Sequence, residues 1–184
     1  MKRLIVYFLE IIICFVIQTS CFRYFALADI MPNLLLILIV SSAYMRGRMA
    51  GLIIGFFSGL LVDLIYGSFV IGQYSQSGEY ISYSIIGVHA LLYLLIGYFF
   101  GYTHRFYSYD DYTLPLIIVA ISNFIYKFIY YIIEFLLRGR LNFVYYLRRF
   151  IIPEVIYTVA ASVLVYKLLH MINHRLNRKN EELV

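Results

Sequence analysis

Charge is what this chain has least of. Asp, Glu, Lys and Arg make up 14% of its 184 residues, against about 25% in soluble domains. So few ionisable groups cannot clothe a chain that is 63% hydrophobic, and a water-soluble globule is excluded. Tryptophan is absent and cysteine occurs only twice. Cys14 and Cys21 fall in one apolar run on one helical face, about 10 Å apart along the axis, beyond the reach of a disulfide. Neither has a second Cys or a His at ligand spacing, so both read as small buried side chains, and no cofactor or metal is expected. The sequence also has no G-x-S-x-G, no H-E-x-x-H, no P-loop and no Cys-His pair with a helper. Those absences remove the recognisable routes to nucleophilic, zinc and phosphoryl chemistry.

What is present is a series of apolar runs, and a bilayer is the solvent that stabilises them. The runs predict an all-α, polytopic membrane bundle of about six helices in a single domain, 1–184, with spans at 4–22, 33–45, 50–66, 85–102, 115–137 and 153–171 and a polar tail at 172–184. A signal peptide competes for the first run, since Ala26 and Ala28 form an A-x-A pattern, but Glu10 interrupts the segment and it is longer than the usual apolar region. The second run has 13 residues and reads as a half-helix or a tilted hairpin partner of the third. A Ser-, Gly- and Tyr-rich polar stretch fills 67–84. Pro115 stands where a first helical turn tolerates proline.

The net charge of +5 is scattered in ones and twos between apolar runs, which is how topology signals are distributed, and it offers no basic stripe for nucleic acid. With the amino terminus in the cytoplasm, Lys2, Arg3, Arg46, Arg48, Arg105, Arg175, Arg178 and Lys179 lie inside. Arg23, Arg138, Arg140, Arg148 and Arg149 lie outside. The bias favours both termini in the cytoplasm, and the arginine-rich link at 138–150 runs against it.

Ionisable groups inside a bilayer call for a partner or a purpose. In the first span Arg3, Tyr7, Glu10, Cys14, Gln18 and Cys21 recur every three or four residues, forming a stripe that should face protein. Asn123, Lys127, Tyr130, Glu134 and Arg138 do the same in the fifth. Glu134 and Arg138 have the favourable order for an ion pair. Lys127 lies too far from Glu134 on that helix and is expected to pair with Asp63 or Glu10 on a neighbour. Glu154 follows Pro153 and reads as a first-turn acid favoured by the helix dipole and reachable from Arg148 or Arg149. His170 and His174 stand four apart, and a helix-terminus role fits them better than a metal.

The most specific pattern is a row of glycines, Gly47, Gly51, Gly55 and Gly59, continued by Asp63 and Gly67. Small residues at that spacing let two membrane helices approach closely, within the chain or towards a partner. Taken in order, Pro32-Asn33, Arg46-Gly47, the glycine row, Asp63 and Gly87-x-His89-Ala-Leu-x-Tyr93-x-x-x-Gly97-Tyr98 resemble the rod shape-determining protein MreD family over about residues 30–101. The resemblance implies a non-enzymatic multi-pass subunit of the bacterial plasma membrane that binds MreC, a single-span protein. It would work with MreB, RodA and the elongation-specific penicillin-binding protein in peptidoglycan synthesis. It also implies a six-helix fold like that of the S-components of vitamin transporters. The 68–86 segment departs from the family, where that link is usually short.

On this reading Arg46, Gly47, Gly51, Gly55, Gly59, Asp63, Gly87, His89 and Gly97 are candidates for helix packing or partner binding. Glu10, Lys127, Glu134 and Arg138 are candidate buried ions. The alternative is a substrate-binding subunit of a vitamin or small-molecule transporter, against which the first span lacks small residues spaced by four. A third reading uses Asp63, His89 and Lys127 in an intramembrane enzyme or proton-coupled carrier.

Overall fold

The computed structural model describes residues 2–21, 31–66, 69–74, 80–106, 113–138 and 143–181. Helix α1 (Lys2–Val16) runs into a π turn (Ile17–Cys21), where Thr19 Oγ1 donates to the Phe15 carbonyl at 2.9 Å. Helices α2 (Leu34–Arg46) and α3 (Arg48–Tyr66) form a hairpin about Gly47, whose φ of 88° suits a residue without Cβ. Strands β1 (Phe69–Tyr74) and β2 (Tyr80–Ile85) pair antiparallel, with Phe69 opposite Ile85 and Tyr74 opposite Tyr80. Then follow α4 (Val88–Phe100), a 3₁₀ turn (Gly101–Phe106) and α5 (Thr113–Arg138). The chain closes with α6 (Phe143–Tyr146), a second π turn (Leu147–Ile151) and α7 (Ile152–Glu181).

Three helices are long and apolar enough to cross a membrane, Arg48–Ile65, Thr113–Ile133 and Val144–Asn173, with shorter apolar helices at Leu4–Ser20 and Leu34–Arg46. The all-α membrane bundle expected from the apolar runs is therefore what the chain forms, with a short β-hairpin added that fills most of the 67–84 stretch and takes Ile85 from the expected fourth span, whose helix begins at Val88. Composition alone hid that hairpin, because its Ser, Gly and Tyr residues read equally well as a loop.

The short run at 33–45 becomes α2, and it is the interior of the bundle. Every residue from Leu34 to Met45 is buried, and α1, α3, α4, α5 and α7 all touch it. An apolar face suits lipid as well as protein, so it is the packing of neighbours on every side that makes α2 the interior. On α1 the lipid side is Ile5, Leu9, Ile12 and Val16, each more than half exposed. That places the Tyr7, Glu10 and Cys14 stripe against protein.

The arginine-rich segment is not the link it resembles. From Phe143 onward it is helical, and α6 passes through the π turn directly into α7. Pro153 explains the wide turn. It has no N–H and its ring crowds the turn before it, so the regular ladder cannot run through it. The Ile152 N–H reaches back five residues to the Leu147 carbonyl instead. At its other end α7 continues to Glu181, so the expected tail is helical for most of its length.

Candidate functional site

The glycine row meets the chain's own α4. A Cβ on Gly51 would lie 2.5 Å from the Gly97 carbonyl oxygen and 2.6 Å from Ala43 Cβ. One on Gly55 would run into the Tyr93 backbone, and one on Gly59 into the backbone of His89 and Ala90. Gly97 faces Gly51 in return, and Gly101 packs on Arg48. Gly47 serves the turn rather than the contact, its nearest neighbour being the His104 ring at 3.6 Å. His104 Nδ1 in turn sits 2.7 Å from the Tyr44 carbonyl oxygen.

Asp63 continues the row and performs a different task. Its buried carboxylate accepts from the backbone N–H groups of Gly87 at 3.0 Å, His89 at 3.2 Å and Ala90 at 2.9 Å. It also lies 2.9 Å from His89 Nδ1. An ionised carboxylate only accepts, so the His89 proton sits on Nδ1. These are the orphan donors of the α4 amino terminus, where the N-cap residue Gly87 has φ of 109° and no side chain to offer. Asp63 therefore caps a neighbouring helix, and its negative charge meets the positive end of that helix dipole.

The start of α2 is capped in the same borrowed way. Asn33 Oδ1 accepts from the Leu36 N–H at 3.1 Å, and Gln18 Oε1 of the first π turn accepts from the Leu35 N–H at 3.0 Å. The Asn33 N–H donates to Thr158 Oγ1 at 3.2 Å. Its Nδ2 donates to the Tyr93 hydroxyl at 2.9 Å. Side chains from α4, α7 and the turn after α1 thus supply partners that hydrocarbon cannot.

Two ion pairs complete the polar interior. At the carboxyl end of α2, the Arg46 guanidinium grips Glu10 with two bonds of 2.7 Å, rests on the Tyr7 ring at 5.1 Å and donates through Nε to Asn173 Oδ1 at 3.3 Å. Near the opposite end, Lys127 Nζ lies 2.8 Å from Glu154 Oε2. Both pairings correct the expectation that Lys127 reaches Asp63 or Glu10. Glu10 takes the arginine at its own depth, and Asp63 is occupied by α4. Glu154 does stand in the first turn of α7, but its carboxylate meets Lys127 rather than Arg148 or Arg149, and α6 and the π turn run into that helix without a break.

Of the stripe on α5, Asn123 is fully buried with no hydrogen-bond partner for its amide among the described residues. Tyr130 lies 5.4 Å from the His89 ring. The side chains of Glu134, Arg138 and His174 lie outside the described residues. Among the described residues no three His, Cys, Asp or Glu side chains form a group that could hold a metal. Of the proposed catalytic trio, Asp63 and His89 meet while Lys127 is taken by Glu154.

A signal for the borrowed caps was present in the sequence. Asn33 follows Pro32 at the head of an apolar run, which is an N-cap position. The sequence does not disclose which residues of other helices complete those caps.

No curated protein and no solved structure matches the chain, and the likeness to transporter S-components rests on the sequence resemblance alone. Residues 1–75, which hold α1 to α3 with Arg46, the glycine row and Asp63, match the model of the family described as rod shape-determining protein MreD, so the resemblance to that family holds over this stretch.

Proposed function

We propose that the whole chain is an MreD-type membrane subunit that acts in bacterial rod-shape determination by holding other membrane proteins rather than by catalysis. The observation that carries this is the family match over residues 1–75. The geometry supports extending it further along the chain. Asp63, inside the matched stretch, finds its partners at Gly87, His89 and Ala90, beyond it. The two halves of the resemblance are thus one interlocked unit.

On this reading the partner is a single-span MreC-like protein, within an assembly that includes MreB, RodA and the elongation-specific penicillin-binding protein. Both termini face the cytoplasm. The end of the bundle bearing Arg46, Arg48 and His104 is then the inner one. The glycines and Asp63 act by packing α3 on α4, since their space is filled from within, and a partner meets the outer faces of the bundle.

The test is co-purification of the tagged full-length chain with its MreC-like protein from detergent extracts, together with depletion in a rod-shaped host. Co-elution and rounding of the cells are expected. Failure to co-elute, with cell shape unchanged on depletion, sinks the proposal.

A further inference from the structure

Where α2 begins, the bundle is not filled. A cavity of about 300 Å³ opens there, lined by Gln18, Asn33, Tyr93, Tyr126, Lys127 and Glu154, with Val62 on one wall and the half-exposed Met31 beside it. At roughly 30 Å³ per water, that is room for about ten water-sized groups. The lining is unusual for the interior of a membrane bundle. It brings together one ammonium, one carboxylate, two side-chain amides and two tyrosines.

The charges sit side by side and sum to zero. A ligand of one sign would strand the opposite charge in a medium where an unpaired ion is costly. A molecule carrying both signs complements both walls. The aromatic surface belongs to the same wall, since the Tyr126 ring carries the Lys127 ammonium over its face at 5.8 Å and so helps hold that cation at the cavity. Gln18 uses only its Oε1 on the Leu35 N–H, and its amide NH₂ makes no bond among the described residues. An oxyanion at Lys127 is within the chemistry of that donor.

We propose that this cavity is a binding site for a small zwitterion, a primary ammonium joined to a carboxylate or phosphate by a short chain. Its oxyanion is held by Lys127 and Gln18, and its ammonium by Glu154. Two sources share that chemistry, a free amino acid-sized solute and the headgroup of phosphatidylethanolamine. The site stands independently of any protein partner.

The experiment uses the full chain in nanodiscs of phosphatidylcholine and phosphatidylglycerol. Thermal unfolding is followed with phosphoethanolamine, choline chloride or inorganic phosphate at matched millimolar concentration. Phosphoethanolamine is expected to raise Tm by about 2–4 °C, and the two probes that carry one sign only are expected to leave it unchanged. The double variant Lys127→Met/Glu154→Met, which replaces the pair by apolar groups of similar length, should lose the response. Val62→Phe, which fills the cavity and leaves both charges in place, should lose it too.

Native mass spectrometry from discs containing phosphatidylethanolamine separates the sources. A retained lipid that phosphoethanolamine displaces identifies the headgroup. A Tm rise without retained lipid identifies the free solute. The proposal is overturned by an equal rise with phosphate or choline alone, by a response that survives in both variants, or by neither a rise nor a retained lipid.

Discussion

Asp63 Oδ2 and the Ala90 N–H stand 2.9 Å apart, and through that bond a carboxylate on one membrane helix finishes the hydrogen bonding of another. Asp63→Ala leaves the N–H groups of Gly87, His89 and Ala90 without this acceptor. At about 1–3 kcal/mol for each buried group left unsatisfied, a loss of at least about 3 kcal/mol is expected. Asp63→Asn keeps one acceptor oxygen and should fall between Ala and wild type. Thermal unfolding in detergent checks the order, and an Asn variant no better than Ala would show that charge, rather than hydrogen bonding, is what matters.

The glycines divide into two kinds, which substitution by size separates. At Gly55 and Gly59 the obstacle is the α4 backbone, so Ala should cost about 1–3 kcal/mol and Leu distinctly more. At Gly47 the obstacle is the backbone, φ 88° with ψ −179°, a region almost confined to glycine, so Ala and Leu should cost alike, about 1–3 kcal/mol. Stability measured for the three Ala and three Leu variants decides it. A size dependence at Gly47 matching that at Gly55 would contradict the packing described here.

Arg46 and Glu10 are both nearly buried, at 8% and 4% side-chain exposure, so removing one strands the other. Glu10→Ala should cost about 3–5 kcal/mol, whereas Glu10→Met combined with Arg46→Met should recover most of that loss. Yield of monodisperse protein and unfolding temperature both report it. If the double variant is as poor as the single, the pair fixes the fold in some way beyond mutual neutralisation.

Lys127 and Glu154 should be coupled, and Lys127 and Glu10 should not. A cycle of Lys127→Met and Glu154→Gln is expected to show an interaction of at least about 0.5 kcal/mol. The Lys127→Met and Glu10→Gln pair should add to within about 0.3–0.5 kcal/mol, because α2 separates their sites by most of its length. Additivity in the first cycle would dissolve the ion pair.

How much of this was legible in the sequence follows from how far each signal reaches. The stripe on α1 and the glycine row depend on spacing within one segment, and the structure keeps Tyr7, Glu10 and Cys14 on the protein side and sets Gly51, Gly55 and Gly59 against α4. Ion-pair partners depend on which helices adjoin and at what depth. Glu10 and Arg46 are separated by 36 residues and Lys127 and Glu154 by 27, so intramembrane charges could be seen to need partners without revealing which. Pro153 misled for a related reason. A proline commonly opens a helix, and nothing local distinguishes that use from a π turn that carries the helix past it. Asp63 was visible as a buried acid, but its role as a cap appears only once Gly87 is beside it.

The enclosure of α2 also constrains how the protein is made. Thirteen residues of helix reach about 20 Å, against a hydrocarbon layer of about 30 Å. Released alone into lipid during synthesis, this segment is too short to cross, and of its amino-terminal donors only the Leu36 N–H has a side-chain partner within the segment, Asn33 Oδ1. Its acceptors arrive piecemeal: Gln18 is made before it, Tyr93 some sixty residues later and Thr158 later still. Its final burial is therefore a post-insertion step that waits for α7. A chain truncated ahead of Thr158 should leave a cysteine placed at Val40 open to a membrane-permeant thiol reagent that the full-length protein excludes. Equal protection in the two chains would mean that α2 settles without its last helix.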